Sequence, residues 1–474
     1  IISNYQKECQ QTMPITLNVS GPREVLTEEK ATATVAAWKE ELLAHRAAEP
    51  SASILCDKII LTDKSYTSGA AKIVSTFLTS TDDFQPSIAS GISIAILSDT
   101  IASRMEEEGL EVLTTISNAF KESKLVEVDL SDNAMGTKGI DACSTVLGGD
   151  ANVTANLAKL SLCNNGLSES TMHEVADLLT KGGDNCIAKN LTQIHFYNNM
   201  SGPKGCEAFE SIMEKCTENK LTDIRFSSTR ARAGGSTHIT TALKSLAESG
   251  NLEHVTRLDL ADNTFSDESV NTDLATALKS CSKLTYINLR DCCIANEGMK
   301  RVCNALKVSG AKLTHLDVSG NDLTASGARS VAKLVASLNS TIVEFSAEEN
   351  EMTSRGVKKI VDVINSQTLE KIVMNQNEFG DIAGRAILDM VSENRVPNLT
   401  RIELNEGSFT EDVVGELVEC FGDKLPEMDD NDEDTEHDAD LDDEEEESED
   451  EDDAPETADR DVDDLAGALS QVQV

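Results

Sequence analysis

Aromatic side chains are scarce in this sequence. Phe, Trp and Tyr make up 3% of its 474 residues, whereas hydrophobic residues as a whole make up 39%. A core with so few rings has to be filled mainly by Leu, Ile, Val and Ala, and these residues suit thin repeated layers better than one thick globular core. The scarcity of aromatic residues therefore favours a repeat protein.

Positive charge is scarce as well. The chain has 41 Lys and Arg against 84 Asp and Glu, for a formal net charge of -43. Between Glu427 and Asp464 lie 25 of the acidic residues, and Arg460 is the single basic residue of that stretch. Such a chain repels phosphate backbones and anionic lipid, so we expect neither a nucleic-acid partner nor insertion into a membrane. A basic protein is the partner class that this charge favours.

Several chemical signatures are missing. The 12 cysteines form no CxxC pair and no Cys/His ligand spacing, which predicts reduced core thiols, a cytoplasmic protein and no metal site. No apolar run approaches the roughly 18 residues that a membrane-spanning helix needs. The motifs GxxxxGK[ST], GxSxG and HExxH and the dinucleotide-binding fingerprint do not occur in the sequence. These absences predict a protein that acts by binding another protein and performs no chemistry of its own.

One pattern returns along the chain with a period of about 30 residues. The stretches LVEVDLSDN, LAKLSLCNN, LTQIHFYNN, VTRLDLADN, LTHLDVSGN and LEKIVMNQN end at Asn133, Asn165, Asn199, Asn263, Asn321 and Asn377. Weaker copies end at Thr229, Cys292, Asn350 and Gly407, and two degenerate copies run through Leu61 and Leu97. The pattern matches the LxxLxLxxN consensus of leucine-rich repeats and predicts about twelve repeats over residues 54–425.

Each repeat predicts one strand followed by one helix. The apolar residues of LxL alternate, as in a strand with one buried face. A stretch such as SGARSVAKLVASL then places apolar residues at helical spacing. Strands that alternate with helices through connections of one hand lie parallel, with the helices outside. We therefore predict an α/β solenoid, a horseshoe resembling ribonuclease inhibitor, in which each consensus Asn is buried and bonds the turn backbone.

The regions on either side lack the repeat. Residues 1–53 predict an N-terminal cap, with a helix that begins after Thr27 and passes through Trp38 and Leu42. Residues 426–464 are too acidic to bury apolar surface, so we expect a disordered tail there. Residues 465–474 form a short C-terminal segment.

Parts of the sequence outside the consensus carry a family resemblance. The stretches SKLVEVDLSDNAMGTKG, KLSLCNNGLSE, FYNNMSGPKG, SSTRARAGG, RLDLADNTFSD and NLRDCCIANEG follow one another in this order. They resemble successive repeats of the Ran GTPase-activating proteins, most closely the plant and yeast types, and GPREVLTEEKA is similar to the lead-in of the plant-type members. The resemblance covers roughly residues 20–450, although the plant-type Trp-Pro-Pro motif does not occur among these residues.

The resemblance implies activation of GTP hydrolysis by Ran in support of nucleocytoplasmic transport. In that family the activator aligns Ran's own glutamine through an asparagine and does not insert an arginine finger. We assign this role to Asn164 of CNNGLS, because Asn165 takes the buried consensus position and Asn164 should face outward. Arg104, in IASRMEEEGLEVL, matches the family arginine and is assigned a supporting role. Further contacts with Ran are predicted at Asp132, Asn198, Arg230, Asp262 and Arg290.

The resemblance also implies the setting of the activity. We expect a cytoplasmic monomer that acts on GTP-bound Ran and has no cofactor, since Ran itself binds GTP and Mg²⁺. A Ran-binding accessory protein and a location at the nuclear envelope stay open. The main alternative is an acidic leucine-rich-repeat protein that binds histones or other basic proteins, although those arrays have fewer and shorter repeats. A third possibility is a ribonuclease-inhibitor-like scaffold that binds a partner without activating it.

Overall fold

The computed structural model describes residues 14–50, 52–218, 220–426 and 428–432. The segment from residue 433 onward, which includes most of the predicted acidic tail and the predicted C-terminal segment, lies outside the described residues. The described strands are β1 (Ile15–Asn18), β2 (Glu24–Leu26), β3 (Cys56–Ile60), β4 (Lys64–Tyr66), β5 (Ile94–Ile96), β6 (Glu127–Asp129), β7 (Lys159–Ser161), β8 (Gln193–His195), β9 (Asp223–Arg225), β10 (Arg257–Asp259), β11 (Tyr286–Asn288), β12 (His315–Asp317), β13 (Glu344–Ser346), β14 (Lys371–Val373) and β15 (Arg401–Glu403).

Helices alternate with these strands along the described chain. They are α1 (Glu28–Ala48), α2 (Ser68–Thr79), α3 (Glu106–Asn118), α4 (Gly136–Ala142), α5 (Ala151–Thr154), α6 (Glu169–Thr180), α7 (Gly202–Met213), α8 (Arg232–Glu248), α9 (Glu268–Leu278), α10 (Asn296–Ser309), α11 (Ala325–Leu338), α12 (Thr353–Val363), α13 (Asp381–Ser392) and α14 (Glu411–Phe421).

A single parallel sheet runs the length of the described molecule. It has 13 strands in the order β1-β3-β5-β6 and then consecutively to β15, while β2 and β4 pair separately. The register is constant, so that Leu160 of β7 stands beside Val128 of β6 and Ile194 of β8. These central residues are buried, whereas most of their neighbours along the strands are partly exposed. The structure thereby confirms the predicted α/β leucine-rich-repeat fold.

The unequal widths of strands and helices curve this array. Neighbouring strands lie about 4.8 Å apart, whereas packed helices need about 8–10 Å. Because every repeat adds one strand on one side and mostly one helix on the other, the helical side becomes the longer one. The sheet therefore lines the concave face of the solenoid, and the loops that follow the strands form one of its rims.

The buried asparagines connect neighbouring repeats by hydrogen bonds. Asn165 is 1% exposed, its Nδ2 donates to the carbonyl of Leu130 at 3.0 Å, and its Oδ1 accepts from the backbone N–H of Asn133 at 2.9 Å. Asn199 does the same one repeat later, where its Oδ1 accepts from the backbone N–H of Asn165 at 3.0 Å. These bonds satisfy backbone groups that would otherwise be buried without partners. The predicted structural role of the consensus asparagine is confirmed.

The N-terminal segment closes one end of the array. The predicted helix is confirmed as α1, and the hydroxyl of Thr27 accepts from the backbone N–H of Lys30 at 3.4 Å at its start. Trp38 is buried, and its indole N–H donates to the carbonyl of Asn18 at 3.1 Å. Strand β1 pairs with β3 although its sequence lacks the repeat pattern. The segment therefore adds both a strand and a helix to the end of the solenoid.

Candidate functional site

A row of left-handed residues follows the carboxyl ends of the strands. In each repeat from β3 onward, the residue just before the consensus Asn position has φ between 51° and 63°. We call this set the edge row; its members are Asp63, Asp99, Asp132, Asn164, Asn198, Ser228, Asp262, Asp291, Gly320, Glu349, Gln376 and Glu406. The left-handed conformation costs most L-residues about 1–2 kcal/mol, and Asn, Asp and Gly tolerate it best. An asparagine at position 164 therefore fits this backbone geometry, as an aspartate or a glycine also would.

Asn164 and Asn165 face opposite ways, as the sequence predicts. Asn164 is exposed in the edge row, whereas Asn165 is buried beneath it. The backbone N–H of Asn164 donates to the carbonyl of Tyr197 at 2.9 Å, and that of Asp132 donates to the carbonyl of Cys163 at 2.9 Å. These bonds hold neighbouring edge-row residues in register. Their side chains consequently stand next to one another on the rim.

Three predicted site residues of this row, Asp132, Asn164 and Asn198, are joined by side-chain hydrogen bonds; we call them the hydrogen-bonded chain. Nδ2 of Asn164 donates to Oδ1 of Asp132 at 2.8 Å. Oδ1 of Asn164 accepts from Nδ2 of Asn198 at 3.0 Å. The amide of Asn164 is thus held from both sides although it is exposed to solvent. It retains one N–H and one oxygen lone pair with which to contact a partner.

Arg104 lies beside Asp132, at one end of the hydrogen-bonded chain. Its side chain is 16% exposed; Nε donates to Oγ of Ser65 at 2.9 Å, and Nη1 lies 3.4 Å from Oε2 of Glu108. Arg104 and Asp132 line one groove of about 600 Å³, together with Met135. The guanidinium is therefore tethered to its own protein rather than extended from the surface.

The other predicted contacts lie further from Asn164. Asp262 belongs to the edge row, but Ser228 separates it from Asn198. Arg230 is exposed after the consensus position of its repeat and not before it.

Arg290, the last of the predicted contacts, lies one residue before the edge row and does not belong to it. The left-handed residue directly before the consensus Cys292 is Asp291. Nε of Arg290 lies 3.2 Å from Oδ2 of Asp291, and Nη1 and Nη2 contact Glu348 and Glu349. These ion pairs occupy all three guanidinium nitrogens.

A stacked Arg–Tyr pair beside Asn198 was not predicted from the sequence. The guanidinium of Arg225 lies 3.5 Å from the ring centroid of Tyr197, and its Nε lies 2.9 Å from Oδ2 of Asp259, a residue only 2% exposed. Burial raises the pKa of Tyr197 above its ordinary value, so the phenol, which is protonated at neutral pH in any case, can donate a hydrogen bond. Tyr and Arg often dominate binding energy at protein interfaces. The sequence did contain a signal for this pair, because Tyr197 stands directly before Asn198 and the sequence has only 4 tyrosines.

The cysteine that precedes Asn164 is buried as a protonated thiol. Burial raises the pKa of the neighbouring Cys163 thiol to about 11, so that it stays protonated and inert at neutral pH. Within the described ranges, no three His, Cys, Asp or Glu side chains are grouped to hold a metal ion. Nor does any helix in these ranges have the length and apolar character to cross a membrane. What the site presents is an ordered set of hydrogen-bonding groups.

Repeated strand–helix units, a continuous parallel sheet and a ladder of buried asparagines define a leucine-rich-repeat protein. A family model described as Leucine Rich repeat matches residues 122–142, 251–270, 280–303 and 311–332. Over 90 residues, or 19% of this chain, the sequence is 39% identical to RAN GTPase-activating protein 1 of Arabidopsis thaliana and 37% identical to RAN GTPase-activating protein 2 of the same plant. These matches span only 16% and 15% of the two curated relatives.

Two solved structures show a distant similarity to this chain. An internalin (inlF) of Listeria monocytogenes shares 12% identity over 80% of this chain and 66% of its own, with a TM-score of 0.27. The TLR13–ssRNA13 complex shares 12% identity over 82% of this chain and 48% of its own, with a TM-score of 0.34. Neither similarity bears on the function of this chain.

Proposed function

We propose that this protein activates GTP hydrolysis by the small GTPase Ran. The observation that carries the proposal is the similarity to two relatives named RAN GTPase-activating proteins. The hydrogen-bonded chain of Asp132, Asn164 and Asn198 supports it, because it lies on an exposed rim where another protein can dock.

Asn164 acts by orientation in this proposal. Ran supplies GTP, Mg²⁺, the attacking water and the glutamine that positions this water, and the activator needs no cofactor. An amide whose direction is already set can hold a switch residue of Ran without reorganising during the reaction, which is the source of its effect on the rate. The free N–H and lone pair of Asn164 allow it to donate and accept at once.

Arg104 supports this arrangement rather than entering Ran's active site. We expect Arg104→Ala to lower the activation of Ran by less than about tenfold, because an inserted arginine finger would contribute about 10³–10⁵. Single-turnover phosphate release measures the effect. Arg301→Ala is the matched control, since Arg301 lies on α10 and pairs with Glu268 at 2.7 Å. A loss of 10³-fold or more in a folded Arg104→Ala protein would identify a finger instead.

The remaining parts of the proposal concern the cellular setting. An activator of Ran in the cytoplasm keeps GTP hydrolysis outside the nucleus, so that export complexes come apart there and nucleocytoplasmic transport stays directional. We propose that the protein acts as a monomer on GTP-bound Ran. The involvement of an accessory protein and attachment to the nuclear envelope are open parts of this proposal.

The test is phosphate release from Ran loaded with GTP, with this protein added at a small fraction of the Ran concentration. We expect acceleration by several orders of magnitude, as activators of small GTPases provide about 10³–10⁵. Ras loaded with GTP should show none, which establishes specificity. If Ran is not accelerated, the proposal fails, and binding to histones becomes the next measurement.

A further inference from the structure

We infer that Asp132 is a positioning residue, whose carboxylate determines which way the amide of Asn164 faces. This inference rests on the proposed function, since it assigns Asp132 a task within the same site. Asp132 would otherwise be one more exposed acidic residue of a highly acidic chain.

The direction of the contact follows from its chemistry. An ionised carboxylate only accepts hydrogen bonds, so only the NH₂ side of the Asn164 amide can face Oδ1 of Asp132. Turning the amide by half a circle would place two oxygens against each other. It would also bring the NH₂ groups of Asn164 and Asn198 together, where Oδ1 of Asn164 now accepts from Nδ2 of Asn198. The carboxylate at one end therefore orients the whole chain.

The backbone brings the three side chains to this contact. Asp132, Asn164 and Asn198 have φ of 63°, 51° and 54°, and they follow strands that pair in constant register. An asparagine on an exposed rim would otherwise rotate between two amide orientations. With Asp132 in place, the free N–H and the free lone pair of Asn164 point in fixed directions. A switch residue of Ran then meets an amide that needs no adjustment.

A similar contact between a side-chain amide and a carboxylate occurs in the last repeats, away from Asn164. Nε2 of Gln376 donates to Oε1 of Glu406, and both residues belong to the edge row, with φ of 54° and 56°. A carboxylate beside an amide is thus repeated on the rim, several strands away from Asn164. Glu406→Gln consequently serves as a matched control for the loss of an edge-row carboxylate.

The alternative to positioning is direct contact between Asp132 and Ran, as the sequence analysis assumed. Asp132 is exposed and lines the same groove as Arg104. An experiment therefore has to distinguish a positioning role of Asp132 from direct contact with Ran. A residue that only contacts Ran changes KM. A residue that orients Asn164 changes kcat, because the same complex forms with a poorly aligned amide.

We would measure kcat and KM of Ran activation for Asp132→Gly and Asp132→Asn, with Glu406→Gln as the control. Glycine retains the left-handed backbone and removes the acceptor. Asparagine can present either its oxygen or its NH₂ group to Asn164, so it allows the hydrogen bond but does not fix the orientation of the Asn164 amide. We expect Asp132→Gly to lower kcat by about 10- to 100-fold with KM within about twofold. Asp132→Asn should restore part of kcat, and Glu406→Gln should match the wild type. A rise in KM alone, or an equal loss of kcat in the control, would overturn the inference.

A second readout does not depend on Ran. In protein labelled with ¹⁵N-asparagine, the side-chain amide signals of Asn164 are those that Asn164→Gly removes. We expect Asp132→Gly to shift the hydrogen-bonded Nδ2 proton upfield and Glu406→Gln to leave it unchanged. Unchanged signals in Asp132→Gly would overturn the positioning role, even if Ran is activated. The expected shift in a protein without effect on Ran would sink the proposed function alone.

Discussion

Asn164→Gly is expected to reduce the activation of Ran by about 10²–10³-fold, the usual effect of losing one preorganised contact to a transition state. Its free energy of unfolding should stay within about 1 kcal/mol of the wild type, because glycine adopts the φ of 51° without strain. Glycine is therefore a sharper probe than alanine, whose side chain would add about 1–2 kcal/mol of backbone strain at this position. Single-turnover phosphate release and thermal unfolding measure the two effects.

Ser228→Gly is the matched control for this experiment. Ser228 lies in the same edge row with φ of 52°, and it is separated from Asn164 by Asn198. We expect wild-type activation from it. Retained activity in Asn164→Gly, or an equal loss in Ser228→Gly, would show that the side chain of Asn164 is not the active group.

Asn165→Ala should show the opposite behaviour, with a loss of stability of about 2–4 kcal/mol. The substitution leaves the buried backbone N–H of Asn133 without its acceptor at 2.9 Å and removes the bond to the carbonyl of Leu130. The folded protein should still activate Ran at temperatures well below its unfolding transition. Urea unfolding at equilibrium gives the change in free energy.

Asn165→Thr also tests whether lost hydrogen bonds cause this loss of stability. In the repeat of β9, Thr229 takes the consensus position, and its hydroxyl donates to Oδ1 of Asn263 at 2.7 Å. We therefore expect Asn165→Thr to be less destabilised than Asn165→Ala. If Asn165→Ala unfolds like the wild type and fails to activate Ran, the roles of the two neighbouring asparagines are reversed.

Much of the fold follows from local sequence patterns. The alternation of LxL predicts a strand with one buried face, and the spacing in SGARSVAKLVASL predicts the helix observed as α11. The LxxLxLxxN consensus predicts that Asn165 is buried in the turn and that Asn164, one residue earlier, points outward. Strand β1 was not predicted, because its sequence lacks the consensus and it joins the sheet only through pairing with β3.

The sequence by itself determined the repeat unit, the parallel sheet and the opposite orientations of Asn164 and Asn165, because each depends on residues close together in the chain. The contacts between repeats were decided only by the tertiary structure. Asn164 meets Asp132 and Asn198, and Arg104 meets Ser65, across 32, 34 and 39 positions of sequence. Periodicity cannot predict such contacts, because they depend on the register between strands and on which side chains face each other once each repeat has stacked on the one before it.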